Sequence, residues 1–275
     1  MEEIIEKRSE LPLGDRIKKY ETAFTGPRID PTKPFIIRMD GHAFSKFTRG
    51  LKRPYDYNFH QAMVNTTKAL MEEYDANTGY THSDEISLLF YPRETKTGAV
   101  KEPHFGGRIQ KVVSTSAAFC TMIFNKELAK LFAGKEDEYP ADTSSVFEKM
   151  TGYQSYFDSR MFQVPDEGQM FSYMFWRSSI DCKRNHVSEL SRQHFGKREL
   201  DKKTTTERIA MLAEKCVIWD DQPACFRRGS FFKKVRRIMD DPDKVRYDFV
   251  EIEIEPLTKL DEKIEDLLNS VVYKK

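Results

Sequence analysis

The 275-residue sequence has few cysteines, no long apolar run and almost no net charge. Its four cysteines, at positions 120, 182, 216 and 225, include no C-x-x-C pair, which argues against a zinc knuckle or a disulfide framework. The longest apolar-leaning run, residues 112–124, is too short to span a bilayer. The opening MEEIIEKRSE is too charged for a secretory signal peptide. We therefore expect a cytoplasmic protein without a membrane partner.

The charge distribution says more than the net charge of +1. Residues 183–208 hold eight Lys or Arg against four acids, and residues 226–246 hold eight against three. Residues 249–268 instead hold seven acids and two lysines. The near-neutral total therefore conceals two basic segments that could bind a polyanion locally.

Apolar spacing in the first half predicts an α+β fold, an antiparallel sheet with helices on one face. The predicted elements are a helix over 13–24, a strand over 35–39, a helix from Asn58 capped by Asp56, a hairpin of 79–82 and 86–91 around a Ser83-Asp84-Glu85 turn, a helix with its apolar stripe from Ile109 to Phe124, and a strand over 157–164.

The second half changes to helices over 169–182, with a continuation beyond Cys182, and over 206–215. A hairpin of RGSFFKKVRRIM and VRYDFVEIEIE and a last amphipathic helix after Pro256 follow. We expect residues 1–165 to form the main domain. Residues 166–275 would be a helical and β-hairpin extension packed on it, in one compact unit.

Carboxylates stand at the ends of two predicted strands. Asp40 ends the first strand, and Asp84 and Glu85 occupy the turn of the next hairpin. Paired carboxylates can hold two Mg²⁺ ions for phosphoryl or nucleotidyl transfer, and the Gly41 carbonyl could approach an ion unobstructed. Asp-Gly and Ser-Asp-Glu are also ordinary turn sequences, and Asp56 alone fits a helix cap. The residues alone leave both interpretations open.

The ordered motifs RMDGHAFSKFTRGLKRPYD, THSDEISLLF, FDSR, DCKRN, GKRELDKK and CFRRGS together resemble the tRNA-histidine guanylyltransferase family. The resemblance extends from about Leu13 to Arg237. It implies a palm domain similar to that of polymerases, and nucleotide addition to the 5′ end of tRNA in the 3′-to-5′ direction. It also implies ATP activation of the 5′-monophosphate, GTP or other nucleoside triphosphates as substrates, and a homotetramer.

Carried over by position, the resemblance makes Asp40, Gly41 and Asp84 the ligands of two Mg²⁺ ions, supported by Glu85 as a further catalytic carboxylate. It implies a nucleotide site whose loop binds the triphosphate through backbone amides. The residues of that site are His42, Ala43, Phe44, Ser45, Lys46, Arg53, Asp56, Ser83, Arg108, Lys111 and Arg160. Arg108 and Lys111 would hold phosphates.

RNA contacts are expected on the basic segments, where phosphate contacts position an RNA without reading its bases. The residues are Lys183, Arg184, Asn185, Lys197, Arg198, Lys202 and Lys203, with Arg227 and Arg228 on the terminal hairpin. Each lysine alone would equally fit a solvated helix face.

Departures from the family pattern refine the expected substrate. Lys183-Arg184-Asn185 stands where eukaryotic members carry HINN, and this form resembles bacterial and archaeal guanylyltransferase-like proteins that repair 5′-truncated tRNAs. Gly41-His42-Ala43 replaces a glycine-arginine-glycine motif, which favours a role for the loop backbone. Two alternatives remain, a palm-type nucleotide cyclase and an inactive RNA-binding protein. The basic segments argue against the first and the retained carboxylates against the second.

Overall fold

The computed structural model describes residues 11–95, 97–139, 144–237, 246–252 and 272–274. Its helices are α1 (Leu13–Thr25), α2 (Phe44–Phe47), α3 (Tyr57–Tyr74), α4 (Ile109–Phe132), α5 (Ser144–Thr151), α6 (Glu167–Phe175), α7 (Lys183–His194), α8 (Thr205–Glu214) and α9 (Ala224–Arg228). Its strands are β1 (Phe35–Gly41), β2 (Thr78–His82), β3 (Glu85–Phe90), β4 (Phe157–Gln163), β5 (Ser230–Arg237), β6 (Arg246–Ile252) and β7 (Val272–Lys274). A π-helical segment, Trp176–Cys182, joins α6 to α7.

The strands form one sheet in the order β4-β1-β3-β2-β5-β6, all neighbours antiparallel, while β7 pairs parallel with β5. The predicted α+β fold with an antiparallel sheet is therefore confirmed. The predicted terminal hairpin is present as β5 and β6, and β5 pairs with β2 so that it extends the sheet of the first half. The helix predicted after Pro256 lies outside the described residues.

Helices cover both faces of the sheet, which corrects the prediction of helices on one face. On one face Ile37 and Met39 of β1 pack in a core with residues of α3 and α4, such as Leu70 and Phe124. On the other face Ile36 packs with residues of α6. The first three residues of β1 and Met39 are buried, as a strand covered on both sides requires.

Several boundaries differ from the predicted ones for clear physical reasons. The helix α4 continues two turns beyond Phe124 because Leu128 and Phe132 extend its buried stripe. The hairpin loop is only Ser83-Asp84, since Glu85 already pairs with His82 as the first residue of β3. The short elements α5, α9 and β7 were not predicted. In the described residues no helix is long and apolar enough to cross a membrane.

Candidate active site

The strand register places Asp40 beside the turn that carries Asp84. Asp40 lies opposite Glu85 of β3 and Asp158 of β4, and the Gly41 amide donates a hydrogen bond to the Asp84 carbonyl at 3.1 Å. Three neighbouring strands thus contribute acidic residues at one end of the sheet. This is the end at which the sequence predicts a metal site.

Asp84 occupies a two-residue hairpin loop. Ser83 adopts a left-handed conformation (φ 50°), as tight hairpin turns require, and its Oγ lies 3.0 Å from Asp84 Oδ1. Burial raises the pKa of Asp84, and the nearby negative charge of Asp40 raises it further. The pair therefore carries mutual repulsion that a bound cation would relieve.

Gly41 permits a close backbone approach at the same point. A Cβ built on Gly41 would lie 2.4 Å from the Phe44 ring, so any side chain here would displace the loop. Two carboxylates and a backbone carbonyl form an all-oxygen donor set, which suits Mg²⁺. Within the described ranges no group of three or more His, Cys, Asp or Glu side chains is placed to hold a metal. With these oxygen donors, an Mg²⁺ ion would complete its shell with water and substrate phosphates.

The loop after Gly41 presents three free amides. Ala43 is left-handed (φ 55°) and precedes the single turn α2, a geometry that turns successive N–H groups toward one side. The His42 amide is already bonded to Tyr156 O (2.9 Å) and the Lys46 amide to Ala43 O (3.0 Å). In the described structure the amides of Ala43, Phe44 and Ser45 have no acceptor. Of the five loop amides predicted to bind phosphates, these three are the ones that could still donate a hydrogen bond to a phosphate oxygen.

A pocket of about 510 Å³ opens beside the carboxylates. Its walls combine the α2 turn, the Ser83-Asp84 loop, residues 51–56 and one side of α7. The site residues predicted from sequence that line it are Phe44, Ser45, Arg53, Asp56, Ser83, Asp84 and Asn185. Its floor includes Phe226, whose ring stacks on Tyr55 at 3.9 Å between centroids. A nucleoside triphosphate fits a pocket of this size and mixed lining.

Two pocket residues are held by other parts of the chain. Asp56 is the N-cap of α3, accepting bonds from the amides of Asn58 (3.0 Å) and Phe59 (3.1 Å), and it also accepts from Tyr139 Oη at 2.8 Å. Its predicted capping role is confirmed. Arg53 reaches across the pocket to Glu189 of α7, with Nη1–Oε1 2.9 Å. Arg53 therefore links two walls of the pocket.

Glu85 has a different environment from Asp84. It is buried beside Arg177, with which it forms a close ion pair, and Arg38 Nε lies 3.7 Å from the same carboxylate. Arg177 also bonds Asp181 at 2.8 Å. Burial raises the pKa of Glu85, and the charges of His82, Arg177 and Arg38 oppose that shift. Glu85 thus anchors the hairpin to the π-helical segment.

Sequence reasoning missed Arg177 and its network. The available signals were the i, i+4 spacing of Arg177 and Asp181 within WRSSIDC and the charged Arg38 inside an apolar strand. Neither signal alone identifies the partner, because Glu85 is 92 residues away from Arg177 in the chain.

Three other residues of the predicted nucleotide site lie away from the pocket. Thr121 of α4 accepts a hydrogen bond from the Phe157 amide, near Asp40. Arg108 and Lys111 lie about three turns earlier, at the start of α4, which is toward the start of β1. Lys111 Nζ lies over the Phe105 ring at 4.7 Å. Arg160 is exposed on β4, opposite Arg38 and 3.6 Å from Asp158. Within a single chain, Arg108 and Lys111 therefore do not lie near Asp40 and Asp84.

The predicted RNA-binding residues fall into three groups. The residues Lys197, Arg198, Lys202 and Lys203 are exposed between α7 and α8, although Lys203 pairs with Glu207 at 3.2 Å. Arg227 and Arg228 lie on α9 instead of the terminal hairpin, because the chain turns at Gly229 (φ 78°) before β5 begins. Lys183, Arg184 and Asn185 start α7, where Arg184 pairs with Asp181 and Asn185 lines the pocket.

Comparison with known proteins identifies relatives of this arrangement. The family model described as tRNAHis guanylyltransferase (Thg1) matches residues 14–165. An uncharacterised mimivirus protein, R259 of Acanthamoeba polyphaga mimivirus, is 31% identical over 81% of this chain and 77% of its own length. The tRNA(His) guanylyltransferase 1 of Arabidopsis thaliana is 25% identical over 55% of this chain but only 23% of its own length.

Solved structures agree with the sequence relatives. A bacterial Thg1-like protein in complex with ATP superposes with a TM-score of 0.68 at 25% identity, covering 87% of this chain and 91% of that one. The Saccharomyces cerevisiae tRNA(His) guanylyltransferase shares the fold, with a TM-score of 0.60 at 20% identity over 86% and 95% of the two chains. The chain therefore belongs to the tRNAHis guanylyltransferase family, a family of nucleotidyltransferases.

Proposed function

We propose that this protein adds nucleotides to the 5′ end of tRNA in the 3′-to-5′ direction, directed by the opposing strand, on a polymerase-like palm. The observation that carries the proposal is the pairing of Asp40 and Asp84 at the mouth of a nucleotide-sized pocket. Family membership and the ATP complex of the bacterial relative support the same chemistry. Catalysis here needs no Ser, Cys or His nucleophile.

Asp40, Asp84 and the Gly41 carbonyl would hold the two Mg²⁺ ions. Such a pair of ions, when bound, lowers the pKa of an attacking hydroxyl and neutralises charge on the leaving group. The amides of Ala43, Phe44 and Ser45 would receive the triphosphate oxygens, and Arg53 would add positive charge at the pocket wall. Glu85 keeps Asp84 in place through Arg177 and does not itself touch substrate.

The reaction has two nucleotidyl transfers at one centre. In the first, the RNA 5′-phosphate attacks the α-phosphorus of ATP, a P–O bond forms, and pyrophosphate leaves. In the second, the 3′-hydroxyl of the incoming nucleotide attacks the activated 5′-phosphorus, loses its proton and displaces AMP. The new phosphodiester leaves the added nucleotide with its own 5′-triphosphate.

The RNA would approach over the basic residues of α7, the α7–α8 segment and α9. Exposed lysines there suit phosphate contacts that select shape, and base pairing with the opposing strand would select the nucleotide. The Lys183-Arg184-Asn185 form favours repair of 5′-truncated tRNAs over addition of a single G to tRNA-His. We propose a homotetramer in the cytoplasm as the working form.

The test incubates the full chain with Mg²⁺, ATP, the four nucleoside triphosphates and a 5′-monophosphorylated tRNA lacking its first nucleotides. We expect extension whose sequence follows the opposing strand, and none with Asp40→Asn or Asp84→Asn. A matched substrate with a changed opposing base should change the nucleotide that is added.

Other outcomes would contradict the proposal in distinguishable ways. Addition of one G only to tRNA-His would exclude general repair. A cyclic nucleotide formed without RNA would indicate a cyclase. Binding of tRNA without any product from the wild-type chain would indicate an inactive RNA-binding protein.

A further inference from the structure

An exposed pair of aromatic rings stands directly beside the proposed metal site. His42 and Tyr156 stack with ring centroids 4.6 Å apart and planes 18° from parallel. Both residues are exposed, and Tyr156 keeps 54% of its surface accessible. Exposed aromatic rings offer planar faces on which other flat groups can stack.

The backbone fixes this pair relative to the carboxylates. Asp40 lies opposite Asp158 and Gly41 opposite Phe157, so the next pair in the same register is His42 opposite Tyr156. The His42 amide donates to Tyr156 O at 2.9 Å, which continues the ladder past the end of β1. Residues two apart on a strand share a face. The two rings therefore extend the sheet face that carries Asp40.

The neighbouring segment is held firmly, which makes the pair a preformed surface. Ser155, next to Tyr156, is buried, and its amide and hydroxyl both bond Asn125 Oδ1, at 3.2 Å and 2.8 Å. Phe157, on the other side, has its amide bonded to Thr121 Oγ1 at 3.1 Å. A ligand that stacks on these rings would not have to order the backbone first.

The pair contributes little to the protein core. Both core clusters of the sheet exclude His42 and Tyr156, whereas Phe157 is buried between β1 and α4. The pocket that Asp84 lines is lined by neither ring. The two rings thus form a second surface at the carboxylates, separate from the proposed nucleotide pocket.

We propose that His42 and Tyr156 form a stacking platform for the unpaired base at the 5′ end of the RNA that is extended. A planar aromatic surface accepts any base through its π-face, so it suits a polymerase that must hold ends of different sequence. The platform lies two residues beyond Asp40, close enough for a base stacked there to leave its 5′-phosphate near the carboxylates. This inference rests on the proposed function and names where its RNA end binds.

The test uses a tRNA acceptor stem with a 5′-monophosphorylated 2-aminopurine as its unpaired terminal base. Stacking on the platform should quench its fluorescence when the full-length protein is added without ATP. Tyr156→Ala should remove the quench and weaken RNA binding about 5- to 150-fold, the range of one base stacked on an aromatic side chain. Tyr156→Phe, which keeps the ring, should retain the quench.

The matched control is Tyr20→Ala, which removes a tyrosine that is 62% exposed on α1, the helix that leads toward the opposite end of β1. It should leave quench and affinity unchanged. In steady-state assays Tyr156→Ala should raise the KM for RNA and leave the KM for the nucleotide unchanged, whereas a disturbed loop would alter both. Thermal unfolding of each variant verifies that it is folded.

Equal quenching by wild type and a folded Tyr156→Ala, or no quenching by wild type, would overturn the platform. The readout does not depend on catalysis. A ring-dependent quench without nucleotide transfer would therefore refute the proposed function and keep the platform, while templated transfer without the quench would do the reverse.

Discussion

Asp84 and Glu85 are adjacent carboxylates with opposite surroundings. Asp84 lies at a pocket mouth next to Asp40, whose negative charge helps raise its pKa. Glu85 points into a buried network with Arg38, Arg177 and, through Arg177, Asp181. One carboxylate adds to an excess of negative charge, and the other is paired with positive charge.

The difference teaches how the site separates binding from support. Two neighbouring carboxylates repel each other without a cation, which supports their proposed role as metal ligands. Glu85 already pairs with Arg177 and Arg38 through Oε2, while its Oε1 has no hydrogen-bond partner, and its removal would leave buried positive charge. The predictions below separate these roles by asking whether each change alters activity or stability.

The largest effect is expected from Asp84→Asn. Loss of a metal ligand removes several kcal/mol of transition-state stabilisation, so nucleotide addition should fall about 10³- to 10⁴-fold. Stability should be unchanged or slightly higher, because the repulsion between Asp40 and Asp84 is relieved. Single-turnover extension assays and urea unfolding measure the two quantities. A loss of stability with little loss of rate would reverse the assignment.

Glu85→Ala should behave in the opposite way. It leaves Arg177 and Arg38 without their shared carboxylate, which should cost about 3 to 5 kcal/mol of unfolding free energy. Chemical denaturation measures the loss. The double variant Glu85→Leu with Arg177→Met should recover a large part of it, since it removes both charges of the close pair. Additive losses in the double variant would show that the two residues are not coupled.

Asp56→Ala tests a pocket carboxylate with a structural role. It removes the cap of α3 and the bond from Tyr139, so we expect a cost of about 1 to 2 kcal/mol. Because both carboxylate oxygens are engaged by the chain, kcat should stay within about threefold of wild type. A loss of rate comparable to that of Asp84→Asn would place Asp56 among the metal ligands.

The smallest effect concerns acid stability. Contact with His82 and the charges of Arg177 and Arg184 lower the pKa of Asp181 to about 2. A lowered folded-state pKa contributes stability that is complete above the unfolded value, near 3.9, and is lost as pH falls from about 4 toward 2. The difference between the denaturant midpoints at pH 5 and pH 3 should therefore be smaller for Asp181→Asn than for wild type. Parallel pH dependence in both proteins would contradict this role.

The sequence predicts most of the elements because local signals specify them. Asp56 indicates the start of α3, and the two strand-like segments on either side of Ser83 and Asp84 indicate the hairpin. It does not reveal that α6 covers the second sheet face or that β5 pairs with β2, because both depend on contacts between distant segments.

The site shows the same division. Asp40 and Asp84 could be paired from the strand ends, whereas spacing alone did not separate a metal site from a turn. The His42 amide donates a hydrogen bond to the Tyr156 carbonyl, and Glu85 forms an ion pair with Arg177. Neither contact can be predicted from the sequence, because each joins residues that are far apart in the chain. Arg108 and Lys111 matched a family motif, yet their position on α4 is away from the carboxylates in one chain.

The most direct test of the central claim is a count of bound Mn²⁺, a paramagnetic substitute for Mg²⁺, by electron paramagnetic resonance in the presence of a non-hydrolysable GTP analogue. Two ions should bind the wild-type chain, and Asp56→Asn should keep both. Asp84→Asn should lose at least one while it remains folded. Equal Mn²⁺ binding by Asp84→Asn and wild type would contradict the assignment of Asp40 and Asp84 as the metal site.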